Sequence, residues 1–132
     1  MNLIICLDAG GGYSFAGRRQ SKDKTQLHNM LNMVGDNKLF LTEYSAKLFE
    51  VIPDNLTVCE DPLTLAGDND FCFIENISFD QADINKVVIY RWNRAYPSDK
   101  KLPHNILEGK KLIEALDFMG NSHEKITREI WE

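Results

Sequence analysis

Long apolar runs are missing from this 132-residue sequence, and no segment approaches the roughly twenty apolar residues of a membrane-spanning helix. Cationic excess is missing too. Fifteen Lys and Arg against twenty Asp and Glu leave a formal net charge of −5. That balance argues against non-specific binding to nucleic acid or to a membrane surface, because phosphate-rich partners demand a basic face. Arg18, Arg19, Arg91 and Arg94 can still build a local basic pocket on an acidic protein. Cysteine is scarce: Cys6, Cys59 and Cys72 leave one unpaired in any pairing, and no CxxC spacing occurs. Each lies in a strand-like apolar run, the setting of a reduced thiol that packs as a small hydrophobe. His28, His104 and His123 stand at no spacing against the cysteines that suits tetrahedral zinc, so no metal is assigned. Met1-Asn2 leads straight into a strand pattern, too short and wrongly flanked for a secretory signal. The expectation is one cytoplasmic domain spanning residues 1–132.

What is present is an alternating order of strands and helices. Leu3-Ile4-Ile5-Cys6-Leu7 is apolar and rich in β-branched residues, as a buried central strand should be. Asp8 and Gly10-Gly11-Gly12 follow, where the chain can turn sharply or approach a ligand closely. A helix is predicted from Ser21, as its N-cap, to Val34, with Leu27, Met30, Leu31 and Val34 at helical spacing. Gly35-Asp36-Asn37 stops it, and Lys38 to Leu41 reads as a short strand. Thr42 or Ser45 then caps a helix carrying Ala46, Leu48, Phe49 and Val51, which ends before Pro53. Further strands are predicted at Leu56–Cys59, Phe71–Ile74 and Lys86–Trp92, with helical turns between Phe79 and Asn85. Asp61-Pro62 and Gly67–Asp70 read as loop. Lys111–Met119 and Glu124–Trp131 close the chain as two strands. This order predicts an α/β sandwich of two or three layers, its central sheet mostly parallel with antiparallel strands joined late.

Four clusters carry candidate chemistry. Arg18, Arg19, Ser21 and Asp23 gather at a helix start, where guanidinium forks and free backbone N–H groups suit a phosphate or carboxylate. The plain alternative is a solvated loop with Asp23 complementing the helix dipole. No Gly-Lys-Ser/Thr follows the glycines, so they are no nucleotide P-loop. Arg91, Trp92 and Arg94 leave a buried strand, where guanidinium and indole can sandwich a flat heterocycle or simply stack on each other. Tyr44 and Ser45 form a third cluster, the hydroxyl serving as helix cap or phosphate ligand. Ser122-His123-Glu124 cannot make a triad among themselves, because neighbours on a strand point to opposite faces. They read as a surface turn, with His123 available as a general acid–base if that turn folds over the pocket.

These stretches resemble dihydrofolate reductase. Leu3–Leu7 is similar to its opening strand, Gly11-Gly12-Tyr13 to its mobile loop, and Asp23 to the acid that protonates the pterin. Lys38–Ser45 resembles the segment that holds cofactor phosphate, with Ser45 at the phosphate-binding hydroxyl. Lys86–Trp92 resembles the sixth strand, and Lys111–Trp131 the closing pair with its Asn-Ser-His turn. Glu75-Asn76-Ile77 stands where that family has the glycines that admit the cofactor diphosphate, and Glu43 where it carries a phosphate-binding arginine. A carboxylate beside two phosphates costs about 1 kcal/mol or more. The resemblance therefore implies the fold without NADPH-dependent hydride transfer, and no cofactor is assigned.

Arg18-Arg19-Gln20-Ser21-x-Asp23, Tyr44-Ser45-Ala46-Lys47, Trp92-Asn93-Arg94-x-Tyr96-Pro97 and Ser122-His123-Glu124-Lys125 also resemble short clostridial proteins, some labelled ribonuclease Z. That label implies an HxHxDH zinc motif, which this sequence lacks, so zinc is not carried over. The expectation is a small protein binding an anionic, nucleotide-like or pterin-like molecule at the strand C-termini, with Asp23 and His123 for proton transfer. A non-catalytic binding module is one alternative. A phosphodiester hydrolase is the other, with Asp8, Asp23 and Glu75 as the ligands its metal would need.

Overall fold

A computed structural model describes residues 1–78 and 83–132. Ten strands and three short or medium α-helices are defined among them. The main sheet is built first from the apolar runs: β1 (Asn2–Leu7), β4 (Leu39–Leu41), β5 (Leu56–Val58), β6 (Phe71–Ile74) and β7 (Lys86–Arg91). These five are mutually parallel. β9 (Leu112–Phe118) and β10 (Ile126–Trp131) add antiparallel strands on one side, giving the order β5-β4-β6-β1-β7-β10-β9. Central strands buried on both faces need apolar side chains on both, which is why β1 and β7 read as continuous hydrophobic runs.

Alternation along β1 divides the core in two. Ile4 joins Val88, Tyr90 and Trp92 on the face covered by α1 (Lys24–Val34), whose Leu27, Met30 and Val34 are buried against it. Leu3, Ile5 and Leu7 join Cys72, Ile74 and Ile89 on the opposite face. That face is covered more thinly, by Leu63 of α3 (Pro62–Leu65) and by Leu102, Ile106 and Leu107. Full burial of each such side chain is worth about 1.5–3 kcal/mol, so α1 and its stripe anchor the layer.

Five local expectations differ. The cap of α1 is Asp23 and not Ser21: its Oδ1 accepts from the N–H groups of Thr25 and Gln26 at 2.9 and 3.1 Å. The next helix, α2 (Glu43–Ala46), is capped by Thr42 and stops five residues short of Val51. Tighter i to i+3 bonds from Leu48 and Phe49 finish that turn, and Val51, 82% exposed, finds no apolar surface to continue it. The expected helical turns at Phe79–Asn85 fall in part on residues 79–82, outside the described residues; residues 83–85 are not helical. Pro62 opens α3 at a position where its missing N–H costs nothing, although the stretch reads as loop in sequence.

The fifth difference lies beside the glycines. β2 (Gly12–Phe15) and β3 (Arg18–Arg19) form a hairpin, and β8 (Lys100–Lys101) completes a second, three-stranded sheet. Its turn is Ala16-Gly17, both at positive φ (52° and 75°), which matches the twist of a two-residue hairpin. The glycine run serves this chain reversal. Gly11 has φ +82°, and a Cβ on Gly12 would lie 2.3 Å from that of Ser98. Asp8 closes the turn, its Oδ1 accepting from Gly10 N and Gly12 N at 2.7 and 3.0 Å. No ligand is needed to account for these glycines.

Candidate functional site

β1, β6 and β7 run parallel, so Asp8, Glu75 and Trp92 emerge together at their carboxyl ends. The hairpin lays Arg19 over this edge. Arg19 donates from Nε and Nη2 to both oxygens of Glu75, at 2.8 and 3.0 Å. The buried Ser45 hydroxyl donates to the same carboxylate at 2.8 Å. Tyr44 holds the arginine from two sides: its hydroxyl accepts from Arg19 N, and its ring lies 4.2 Å from the guanidinium. The space enclosed between these groups, Cys6, Ser21 and Trp92 is about 10 Å³, room for one water. Arg19 and Ser45, expected to hold anionic groups, and Tyr44, expected to stack on the ligand, thus satisfy one another and Glu75. The three thiols are unpaired; burial pushes that of Cys72 up to about 12. Cys6 is likewise raised, by burial first and then by the charges of Glu75 and Asp23.

A second cluster joins the start of α1 to the turn between β9 and β10. Besides its two capping bonds, Asp23 accepts from the backbone N–H groups of Asn121 (3.0 Å) and Ser122 (2.7 Å). Burial alone would raise its pKa. The hydrogen bonds from Asn121, Ser122, His123 and Gln26 outweigh that and hold it well below the usual carboxylate range. Gly120 lets this turn come so close. A Cβ there would lie 2.5 Å from Asp23 Oδ2 and 2.8 Å from both His123 O and Ile126 Cδ1. Gly120→Ala should therefore cost about 2–3 kcal/mol. A thermal melt should register this as a drop of roughly 10 °C, and an unchanged melting point would remove the close approach from the account.

His123 is buried at the centre of the cluster. Its Nδ1 lies 3.0 Å from Asp23 Oδ2, and its Nε2 lies 3.1 Å from Ser21 Oγ and 2.9 Å from the Tyr96 hydroxyl. An ionised Asp23 can only accept, so Nδ1 carries the proton towards it. With that tautomer a neutral ring has its Nε2 lone pair facing the two hydroxyls. Trp92 fixes the ring plane, stacked on it at 4.4 Å and 17°. The indole is 3% exposed. Its face is thus occupied by His123, where the sequence suggests a ligand or an arginine.

Outside this cluster lies an open groove of about 450 Å³. Phe15, Arg18, Gln20, Tyr96 and Pro97 contribute to its walls. Gln20 Nε2 donates to Asp8 Oδ2 at 2.6 Å and to Pro97 O at 3.1 Å. That orientation leaves its buried Oε1 with no partner among the described residues. Arg18 is exposed, and Arg94 reaches the Tyr96 hydroxyl at 3.5 Å. Arg91 lies on the other face of β7 from Trp92, paired with Glu129 at 2.8 Å, so those two side chains cannot sandwich one ligand.

The sheet order, with β1 between β6 and β7 and an antiparallel pair last, can now be set beside known proteins. No family model and no curated protein matches this sequence. A solved structure does: a dihydrofolate reductase from Enterococcus faecalis, complexed with NADP(H) and RAB-propyl, with TM-score 0.64. The two are 9% identical, and the match covers 99% of this chain and 94% of that one. The fold is that of dihydrofolate reductase. At this identity the likeness concerns the fold alone.

Within the dihydrofolate reductase-like fold, Arg18, Ser21, Asp23, Trp92, Arg94 and His123 form one connected region around Tyr96. Arg19, Tyr44 and Ser45 form the adjoining cluster around Glu75. Arg91 belongs to neither. Tyr96 and Gln20 are the participants that the sequence does not single out. Tyr96 sits five residues beyond β7, and its one sequence signal is its place in the Arg94-x-Tyr96-Pro97 stretch. Among the described residues no three His, Cys, Asp or Glu side chains are grouped to hold a metal ion. Nor is any helix there long and apolar enough to cross a membrane.

Proposed function

We propose that this protein is an enzyme that binds a small anionic molecule in the Arg18–Tyr96 groove and moves a proton on it with His123. The observation that carries this reading is the Tyr96 hydroxyl. Tyr96 belongs to the groove wall, and its hydroxyl lies 2.9 Å from His123 Nε2, whose other nitrogen faces the Asp23 carboxylate. Arg18 supplies the exposed cation, and Phe15 and Pro97 supply apolar surface for a flat ring. A nucleotide or a pterin carboxylate meets both demands. We read the protein as cytoplasmic, since three free thiols suit a reducing compartment.

Asp23 holds and orients the imidazole in this reading and is not itself the proton donor, because its carboxylate is kept ionised. The phosphodiester-hydrolase alternative has less support. Asp8, Asp23 and Glu75 are engaged separately, by the glycine turn and Gln20, by the β9–β10 turn, and by Arg19. NADPH-dependent reduction is not proposed, because Arg19, Ser45 and Glu75 fill one another where a diphosphate would approach. Titration calorimetry with pyrophosphate, AMP and folate tests the binding. At least one should bind below millimolar concentration, and Arg18→Ala should weaken it about tenfold by removing a charge-assisted contact. Flat titrations with all three at millimolar ligand would overturn the reading. Binding without any dependence of turnover on His123 would instead favour the non-catalytic module.

A further inference from the structure

We infer that Ser21 is the nucleophile of an acyl-transfer centre, cleaving an ester or thioester whose anionic portion sits in the groove. The anionic portion rests on the reading above; the nucleophile rests on its own geometry. Ser21 has no capping role, since Asp23 takes that position in α1. Its hydroxyl contacts are His123 Nε2 at 3.1 Å and the Tyr96 hydroxyl at 3.3 Å. His123 Nδ1 is 3.0 Å from a carboxylate that stays ionised, and the ring is clamped by the Trp92 stack. Nucleophile, base and orienting acid therefore stand in the order that activates a serine, drawn from positions 21, 123 and 23.

The chain of donors has a direction. Arg94 faces the Tyr96 oxygen, Tyr96 O–H points to Ser21 Oγ, Ser21 O–H to His123 Nε2, and His123 Nδ1–H to Asp23. In the acylation step Ser21 Oγ bonds to the substrate carbonyl carbon while its proton passes to Nε2. Once Ser21 Oγ is bonded to the carbonyl carbon it is a poorer acceptor for Tyr96, so the phenol is released to donate to the developing oxyanion. Collapse breaks the bond to the alcohol or thiol, which leaves with the proton from Nε2. Water then attacks the acyl carbon, giving one proton to Nε2. As the Oγ–C bond breaks that proton returns to Ser21, and the acid is released. Ester and water go in; acid and alcohol come out.

The test is peptide-mapped mass spectrometry of the full chain after treatment with a fluorophosphonate ester, with and without pyrophosphate. The nucleophile displaces fluoride, so a single phosphonyl adduct is expected on Ser21. It should be absent from Ser21→Ala, and labelling of His123→Asn should be slower by roughly a hundredfold or more. In parallel, 4-nitrophenyl acetate should give a burst of nitrophenolate that Tyr96→Phe slows. No adduct on the wild-type chain, or an adduct on Tyr96 in place of Ser21, overturns the nucleophile. Protection of Ser21 by pyrophosphate supports both ideas together. An adduct that pyrophosphate leaves untouched keeps the nucleophile and removes the anion groove, whereas pyrophosphate binding without any adduct does the reverse.

Discussion

Asp23→Ala is expected to lower the free energy of unfolding at pH 7 by about 4 kcal/mol. The helix cap accounts for roughly 1 kcal/mol, and each charge-assisted bond from Asn121 N and Ser122 N for about 1.5 kcal/mol. Unfolding free energies of small domains run from about 5 to 15 kcal/mol, so the variant should be close to the limit of folding. The sign of the pH dependence follows from the depressed pKa of this carboxylate. Its stabilisation is complete above the unfolded value near about 3.9, and is lost as pH falls below that towards the folded value. Urea melts of wild type and variant should therefore converge as the pH falls below about 4. A difference at pH 7 under about 1 kcal/mol would mean that the β9–β10 turn docks without this clasp.

Glu75→Ala should give the second largest loss, about 2–3 kcal/mol. It leaves the buried Ser45 hydroxyl without its acceptor and the Arg19 guanidinium without its partner. The Arg19 side chain is 23% exposed, so water recovers part of the cost and the loss falls below that of a fully enclosed pair. Glu75→Gln, which keeps an acceptor for Ser45 and removes only the charge, should recover about half of it. Both are read in urea melts; an alanine variant as stable as wild type would show that the cluster is balanced by its own desolvation. The alanine variant also frees Arg19 beside an enlarged cavity, which is where a bound phosphate would appear if the fold retained that capacity.

The parallel strands were legible because a strand covered on both faces must be apolar throughout, as Leu3–Leu7 and Val87–Tyr90 are. The helix from Lys24 was legible from Leu27, Met30 and Val34 at its own period. Its first residue was not. Ser21 and Asp23 are both good caps, and only the contact with residues 121 and 122 decides between them. The β2–β3 hairpin stayed hidden because Ala16 takes the left-handed position that Asn or Gly normally advertises. Residues 121–124 form a bend and not a strand, so alternation does not apply there and Ser122 Oγ lies 3.2 Å from His123 Nδ1; Asp23 and Ser21, two further partners of His123, lie 100 and 102 residues away, beyond any spacing rule. The same alternation separates Arg91 from Trp92, a distinction that the residue types alone conceal. Glu75 was legible as an obstacle to a diphosphate, and its partners Arg19 and Ser45 were legible only as competitors for the same anion.

The bonds from Asp23 to Asn121 and Ser122 have a bearing on how the molecule acquires its competence. A cysteine or serine centre built inside one hairpin can become reactive early, while most of the polypeptide is still a fluctuating coil. Here the imidazole arrives from near the far end of a loop of about a hundred residues, whose closure is entropically slow. During synthesis the hydroxyl and its orienting acid emerge long before their base, and they stay chemically quiet until the β9–β10 turn docks. In the proposed acyl-transfer centre reactivity is thereby tied to completed assembly, and half-formed chains are kept from spending it on their neighbours.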